Sequence, residues 1–580
     1  MIGVGVFIQF LFFVLILYTC KRMVKRFFKI INKEIGGLHQ AAYLLAFFAI
    51  SSQLLALIRD RLLASHFGAG HELDLYYAAF RIPDFIFITV GSMVSVSVLI
   101  PFLIEKTKAG PEEGKRFIGN IFTFFFSLII VTSLIAFFFI PSINKLLFNG
   151  FTSADLAVVN NLTRILLLSP VFLGMSNIFG TLTQTYKRFL IYSLSPVLYN
   201  IGIILGIIFL YPTFGLSGLV LGVVIGAFLH FIIQVPFVIE NDLFPRPTFK
   251  YDFVEIKKVL LVSVPRTFTL GSDNISAIFL LSLASSMTAG SIAIFNLSFN
   301  LQSVLLSIVG VSYSLAAFPI LVRYFADGEK TKFIEQTILS AQHIIFWSIP
   351  AAVLFITLRA QIVRTILGAG VFNWSQTRLT AAALAIFVAS IIFQNLTLLF
   401  VRAYYATGNT KLPFIAKFIN AFSTVVLGFG FMILYKTYPP FKDLMESLLR
   451  VKDVPGTIVL TLPLGWSVGE VFNTLALWFV FEKDFKGFSK PVFKTGIQVL
   501  VSSLLMGIVS YFSLNIFDNI FDLNTVFGIF MQGFLSGILG IIAGALLLIL
   551  IGNYEIRAVY NTLKSNFTKI KIFAPTQTGL

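Results

Sequence analysis

Uncharged apolar stretches near 20 residues long recur from one end of this 580-residue chain to the other. Each is long enough to cross a bilayer core of about 30 Å as an α-helix. This feature constrains the fold most tightly, because hydrocarbon offers no hydrogen-bond partners. A spanning segment must therefore satisfy its own backbone, as a helix or within a closed barrel. A barrel would show short strands of alternating polarity, whereas these runs are continuous. With 57% hydrophobic residues, 67 Phe and only 12% charged residues, a soluble fold of this length could not hide its apolar surface. The expected fold is an all-α polytopic membrane protein.

Fourteen spans are expected, near 39–66, 74–104, 115–141, 154–185, 189–211, 215–240, 254–287, 290–325, 331–358, 376–406, 411–436, 457–482, 490–515 and 524–552. The net charge of +17 does not form the single basic stripe of a nucleic-acid surface, and no nucleic-acid partner is expected. The basic residues lie in alternate connections: Lys106, Lys108, Lys115 and Arg116, then Lys187 and Arg188, then Arg246 to Lys258, Arg323 to Lys332, Lys411, and Lys483 to Lys494. The intervening turns GAGHELD, YPTFG, SMTAG and FDNIFDL carry no Lys or Arg. Positive charge marks the cytoplasmic side, so both ends of the fourteen-span unit are expected there. The stretch 436–456 breaks the alternation with Lys436, Lys442, Arg450 and Lys452, and is expected to form a small extracellular amphipathic element. Ahead of the unit, MIGVGVFIQFLFFVLILYTC places its charges after the apolar run, the reverse of a cleaved signal peptide. We read residues 1–35 as an extra helix followed by a basic amphipathic segment.

An internal repeat is visible at an offset of roughly 220 residues. VLIPFLIEKTKAG echoes AAFPILVRYFADG, with Pro101 and Pro319 in matching places. LLFNGFTSADL echoes TILGAGVFNWSQ, and TYKRFLIYSLSPVLYN echoes ATGNTKLPFIAKFIN. The repeat predicts two pseudo-symmetric six-helix lobes, 36–242 and 243–484, with 485–580 supplying two more helices and a basic cytoplasmic tail. Transporters built from such repeats hold substrate at the repeat interface.

Catalytic signatures are missing: there is no GxxxxGK[ST], HExxH or DDxxD, and His39, His66, His71, His230 and His343 lack metal-ligand spacing. Cys20, the single cysteine, excludes an internal disulfide. Nothing supports an enzyme. What remains is charge at membrane depth, which is costly and faces a cavity or a partner. Arg59, Asp60 and Arg61 end the first span, and Asp74, Arg81 and Asp84 follow on the second, where Pro83 can bend the helix. Arg59 and Arg81 are expected to face a cavity, and Arg61 to snorkel to headgroups. Arg266 and Asp273, seven apart in the seventh span, are either a substrate contact with its neighbour or a structural pair.

The segment LALIRDRLLASHFGAGHELDLYYAAFRIPDF resembles the signature of the MurJ/MviN family, lipid II flippases of bacterial cell-wall synthesis within the multidrug/oligosaccharidyl-lipid/polysaccharide exporter superfamily. The resemblance implies a cationic cavity that alternates between the two sides, a groove by the last two spans for a polyprenyl tail, and residence in the bacterial cytoplasmic membrane. It implies a substrate site of Arg59, Arg81, Asp60 and Asp74, to which we add Arg266 and Asn300. The family's usual arginines are replaced here by Gln53, Phe87, Ile88 and Asn300, and its helix-eight glutamate by Ser303. Export of another polyprenyl-linked oligosaccharide, or a non-transporting scaffold, therefore stand beside lipid II transport as alternatives. The expected partners are a polyprenyl-pyrophosphate-linked glycan lipid, membrane lipids and cell-wall synthesis proteins, with the chain itself a monomer. Cofactors are not expected, and the driving force is Na⁺ or membrane potential. Asp273, Asn274, Asn420 and Thr424 are the oxygen donors a Na⁺ ion would use.

Overall fold

A computed structural model of the chain describes residues 38–94, 96–246 and 251–557. The helix and basic segment expected over 1–35, and the tail beyond 557, lie outside them. All regular elements among the described residues are helical. Among the described residues eleven helices are long and apolar enough to cross a membrane, or thirteen if each of two bent pairs is one span. The bent pairs are Phe253–Thr269 with Gly271–Ser285, and Trp374–Ala389 with Ile391–Ala406. These thirteen answer to thirteen of the expected spans.

The second expected span, 74–104, is corrected. It is four pieces: His71–Ala79, Arg81–Thr89, a 3₁₀ turn at Gly91–Val94, and Val96–Ala109. Pro83 lacks a backbone N–H and so falls in the first turn of its piece, where that donor has no intrahelical partner. Pro101 and Pro319 lie inside Val96–Ala109 and Ser312–Ala326.

The second repeated motif has a local physical basis. Thr152 and Asp155 form a reciprocal capping box at the start of Ser153–Leu166, and Asn373 and Gln376 form one at the start of Trp374–Ala389. Each side chain satisfies a backbone donor that the first helical turn leaves open, which fixes where these helices begin. The amphipathic element is the helix Pro439–Leu449, which buries Met445 and Glu446. The Tyr435 hydroxyl donates to Glu446 at 2.6 Å.

Two compact packing units emerge. One holds the chain up to Arg59, with Ala78–Leu146 and Thr152–Gly271; the other holds Asp60–Tyr77, Leu147–Phe151 and everything from Ser272. This division by packing differs in kind from the lobes at 36–242 and 243–484, which concern equivalent helices and not touching ones. The first unit packs around Phe117, Ile121, Phe179 and Phe237, and the second around Phe333, Phe400, Phe481 and Phe488. Apolar surface alone gives little drive for helices to associate in lipid, so close backbone approach matters more. In the first unit Gly202 and Gly206 meet Gly222 and Gly226, and in the second Gly465 meets Gly428; a Cβ at Gly428 would strike the Leu280 side chain, and at any of the others it would overlap backbone.

Candidate functional site

In the first unit, Arg59 sits on Leu38–Phe67 and donates to Oδ1 of Asn200 at 3.2 Å. Asn200, on Phe189–Leu205, is held by its own amide, which donates to the Ser52 hydroxyl and to the Pro196 carbonyl, both at 3.2 Å. One residue earlier, Tyr199 lies beside Ser169 and feels the charges of Asp84 and Arg59. Asp84 in turn lies under the charge of Arg81, which opens its helix. The structure thus links Arg59, Tyr199, Asp84 and Arg81 within one unit. Two guanidiniums and a carboxylate lie around Tyr199 and Asn200, a polar cluster at membrane depth.

The other expected residues belong to the second unit. Asp60, 3% exposed, accepts from the Asn300 amide at 3.0 Å. Asp74 accepts the backbone N–H of Gly290 at 2.6 Å and of Ala293 at 2.7 Å, which caps the helix Ser291–Leu305. Gly290 adopts a φ of +91° against the Ala69 carbonyl, which leaves no space for a side chain. Both Asp74 oxygens are therefore engaged by backbone. Arg61 is corrected: it does not reach for headgroups. Its guanidinium donates to the carbonyls of Thr365 and Ile366 at 2.6 and 3.1 Å, closing the end of Arg359–Leu367. The side chain of Arg266 lies outside the described residues.

A second charged cluster joins three helices of this unit. Lys417 Nζ lies 2.9 and 3.2 Å from the two carboxylate oxygens of Asp273 and 3.4 Å from Glu470 Oε1. The Asn420 amide donates to the same Glu470 oxygen at 2.7 Å. Lys417 and Asn420 share one face of Lys411–Thr437, three residues apart. Glu470 reaches them because Gly465 and Gly469 bring its helix against Gly428 and Thr424. Side-chain exposure is 8% for Lys417 and 3% for Glu470, against 41% for Asp273. Asn274 makes no bond to this cluster among the described residues. Lys417 and Glu470 escaped the sequence reading, although each is a charge inside an apolar run, the signal that singled out Arg59. Tyr199 and Asn200, being neutral, gave no such signal.

Two apolar cavities flank the last two helices. One of about 770 Å³ runs along Ser489–Asp518, with Leu504, Ile508 and Phe512 in its wall and Arg359 and Arg450 in its lining. Another of about 330 Å³ lies against Phe530, Phe534 and Ile541 of Val526–Leu550.

The family model described as lipid II flippase MurJ matches residues 63–439, well over half of the chain. This chain belongs to the MurJ family. It is 25% identical over 463 residues to the probable lipid II flippase MurJ of Thermotoga maritima, covering 74% of this chain and 92% of that protein. It is 24% identical to the lipid II flippase MurJ of Burkholderia cenocepacia, covering 65% of this chain and 75% of that one. Among solved structures, a lipid II flippase MurJ in an inward closed conformation matches with a TM-score of 0.70 at 23% identity, over 88% of this chain and 99% of its own. An inward-facing multidrug resistance transporter of the MATE family matches at 0.60 and 17% identity, over 76% of this chain and 96% of its own. These likenesses establish a MurJ- and MATE-like transporter fold, and MurJ proteins are multi-pass proteins of the inner membrane.

The residues expected to hold Na⁺ do not fit that ion. Asp273, the only carboxylate of the expected set, already holds an ammonium, and Asn420 turns a donor toward Glu470. A sodium ion sharing Asp273 would lie about 4 Å from that ammonium, a repulsion on the order of 4 kcal/mol at an effective dielectric near 20. Among the described residues no group of three or more His, Cys, Asp or Glu is placed to hold a metal.

Proposed function

We propose that this chain moves lipid II, an undecaprenyl-pyrophosphate-linked sugar, from the cytoplasmic to the outer leaflet of the bacterial inner membrane by alternating access. The observation that carries this reading is membership in the MurJ family over residues 63–439. The linked Arg59 and Arg81 supply the chemistry it needs. A guanidinium binds phosphate oxygens through two parallel N–H donors and stays charged at any relevant pH. Asn200 and Tyr199 orient this end of the site without adding charge. The cavities beside Ser489–Asp518 and Val526–Leu550 offer the polyprenyl tail largely apolar walls. The cargo leaves unchanged, so no covalent step is asked of any residue. An inside-negative membrane potential favours outward movement of the pyrophosphate by about 2.3 kcal/mol per elementary charge per 100 mV, and we take it as the driving force. The chain works as a monomer beside cell-wall synthesis proteins.

The test is complementation of a flippase-depleted bacterium, with lipid II translocation measured at matched protein level. Arg59→Ala should lower translocation roughly tenfold or more, the loss of one charge-assisted hydrogen-bond pair. Arg59→Lys should restore only part of it, because a point charge lacks the fork. Normal translocation by Arg59→Ala would overturn this assignment of the site. A wild-type chain that complements without moving lipid II would favour the scaffold alternative.

A further inference from the structure

Lys417 is a lysine enclosed by acceptors: its ammonium touches both oxygens of Asp273 and one of Glu470. Two further acceptors of the same cluster, Glu470 Oε2 and Asn420 Oδ1, are buried and accept no hydrogen bond from the described residues. Glu470 and Asn420 are 2% and 3% exposed, so water does not compensate them freely. The carboxylates of Asp273 and Glu470, on two different helices, are hard oxygen ligands of the kind a small monovalent cation takes, with negative charge to spare. In this chain the centre of that set is taken by a covalently tethered cation.

We propose that the Lys417 ammonium is the resident cation of this cage and takes the place of a bound metal ion, so the wild-type chain binds no Na⁺ there. The tether makes the cation permanent. It bridges the helices carrying Asp273, Asn420 and Glu470 without any gradient to fill or empty the site. It follows that removing the ammonium, and nothing else, uncovers a monovalent-cation site. The carboxylates are then left facing one another, and a cation small enough to sit among them relieves both.

The experiment uses the full chain purified in detergent, with thermal unfolding followed in NaCl, KCl and choline chloride at equal ionic strength, and ²²Na⁺ binding measured on the same samples. Wild type should unfold at one temperature in all three salts and retain no ²²Na⁺. Lys417→Ala should unfold earlier in choline and recover by about 2 °C or more in Na⁺, saturably and in preference to K⁺. Lys417→Ala with Asp273→Asn should lose that recovery. If Lys417→Ala alone is not recovered folded, the double variant Lys417→Ala, Glu470→Gln buries one carboxylate fewer and carries the same comparison. Na⁺-selective stabilisation or ²²Na⁺ retention by wild type would overturn the proposal. So would a folded Lys417→Ala, or the folded double variant in its place, that responds equally to every salt. No transport is measured, so this result is independent of which lipid the chain carries.

Discussion

The two motifs TYKRFLIYSLSPVLYN and ATGNTKLPFIAKFIN end on asparagines that meet opposite surroundings. Asn200 presents its oxygen to a cation, Arg59, while Asn420 presents its amide to a carboxylate, Glu470. One turn earlier the first motif carries Val197 and the second Lys417. The consequence is a difference in sign. Asn200 accepts from a guanidinium, and around Asn420 two carboxylates share one ammonium. A repeated scaffold can thus carry a cation-facing asparagine in one unit and a carboxylate-facing one in the other, through a handful of substitutions that leave the helices intact. Charge at membrane depth is therefore no site by itself. What decides is the group that compensates it.

The second unit closes its charges, and the largest expected effect tests that closure where backbone N–H groups hold the carboxylate. Asp74→Ala strips the cap from two buried N–H groups and should cost about 3 kcal/mol, seen as earlier thermal unfolding in detergent. Asp74→Asn, with one amide oxygen left to accept, should recover part of the loss. If the alanine variant unfolds like wild type, the carboxylate is not what holds the start of Ser291–Leu305.

A smaller effect separates the two asparagines. Asn420→Ala leaves a buried carboxylate short of a donor and should cost about 2 kcal/mol. Asn200→Ala should cost about 1 kcal/mol, because Arg59 is only half-buried and can rehydrate. Equal losses would erase the contrast drawn between the units, and the same unfolding scans measure both.

The smallest effect lies at the exposed edge of the second unit. Arg378 grips Asp453 through both oxygens, at 2.5 and 2.7 Å, and those hydrogen bonds hold its carboxyl below the usual aspartate range. A depressed folded-state pKa stabilises above the unfolded value and is lost as pH falls through the folded one. Asp453→Asn should therefore lower the unfolding temperature slightly at neutral pH, with the difference from wild type vanishing in acid. A gap that persists at low pH would point to packing instead of charge.

Much of this architecture was legible from residues alone. Thirteen of the fourteen expected spans stand near their predicted limits, because a span is set by apolar length against bilayer thickness, a local property. The capping boxes at Thr152 and Asn373 were latent in the repeated motifs for the same reason, since each closes within four residues. The second span reads as one segment that Pro83 could bend; its division into four pieces escapes the sequence because short breaks near Phe80 and Val90 and the 3₁₀ turn at Gly91–Val94 leave no trace in apolar composition. What the sequence by itself determined was a helical membrane protein of the MurJ kind, and it singled out Arg59 and Arg81 as expected substrate contacts. Only the tertiary structure decided which charges meet. Asp74 finds backbone donors more than two hundred residues away at Gly290 and Ala293, Arg61 finds the carbonyls of Thr365 and Ile366, and Lys417 finds Asp273 and Glu470 on two other helices. Sequence spacing reports neighbours along one helix, three or four residues apart. A charge inside a bundle is compensated by whatever donor or acceptor packing brings within about 3 Å, and that is set by how the helices pack together.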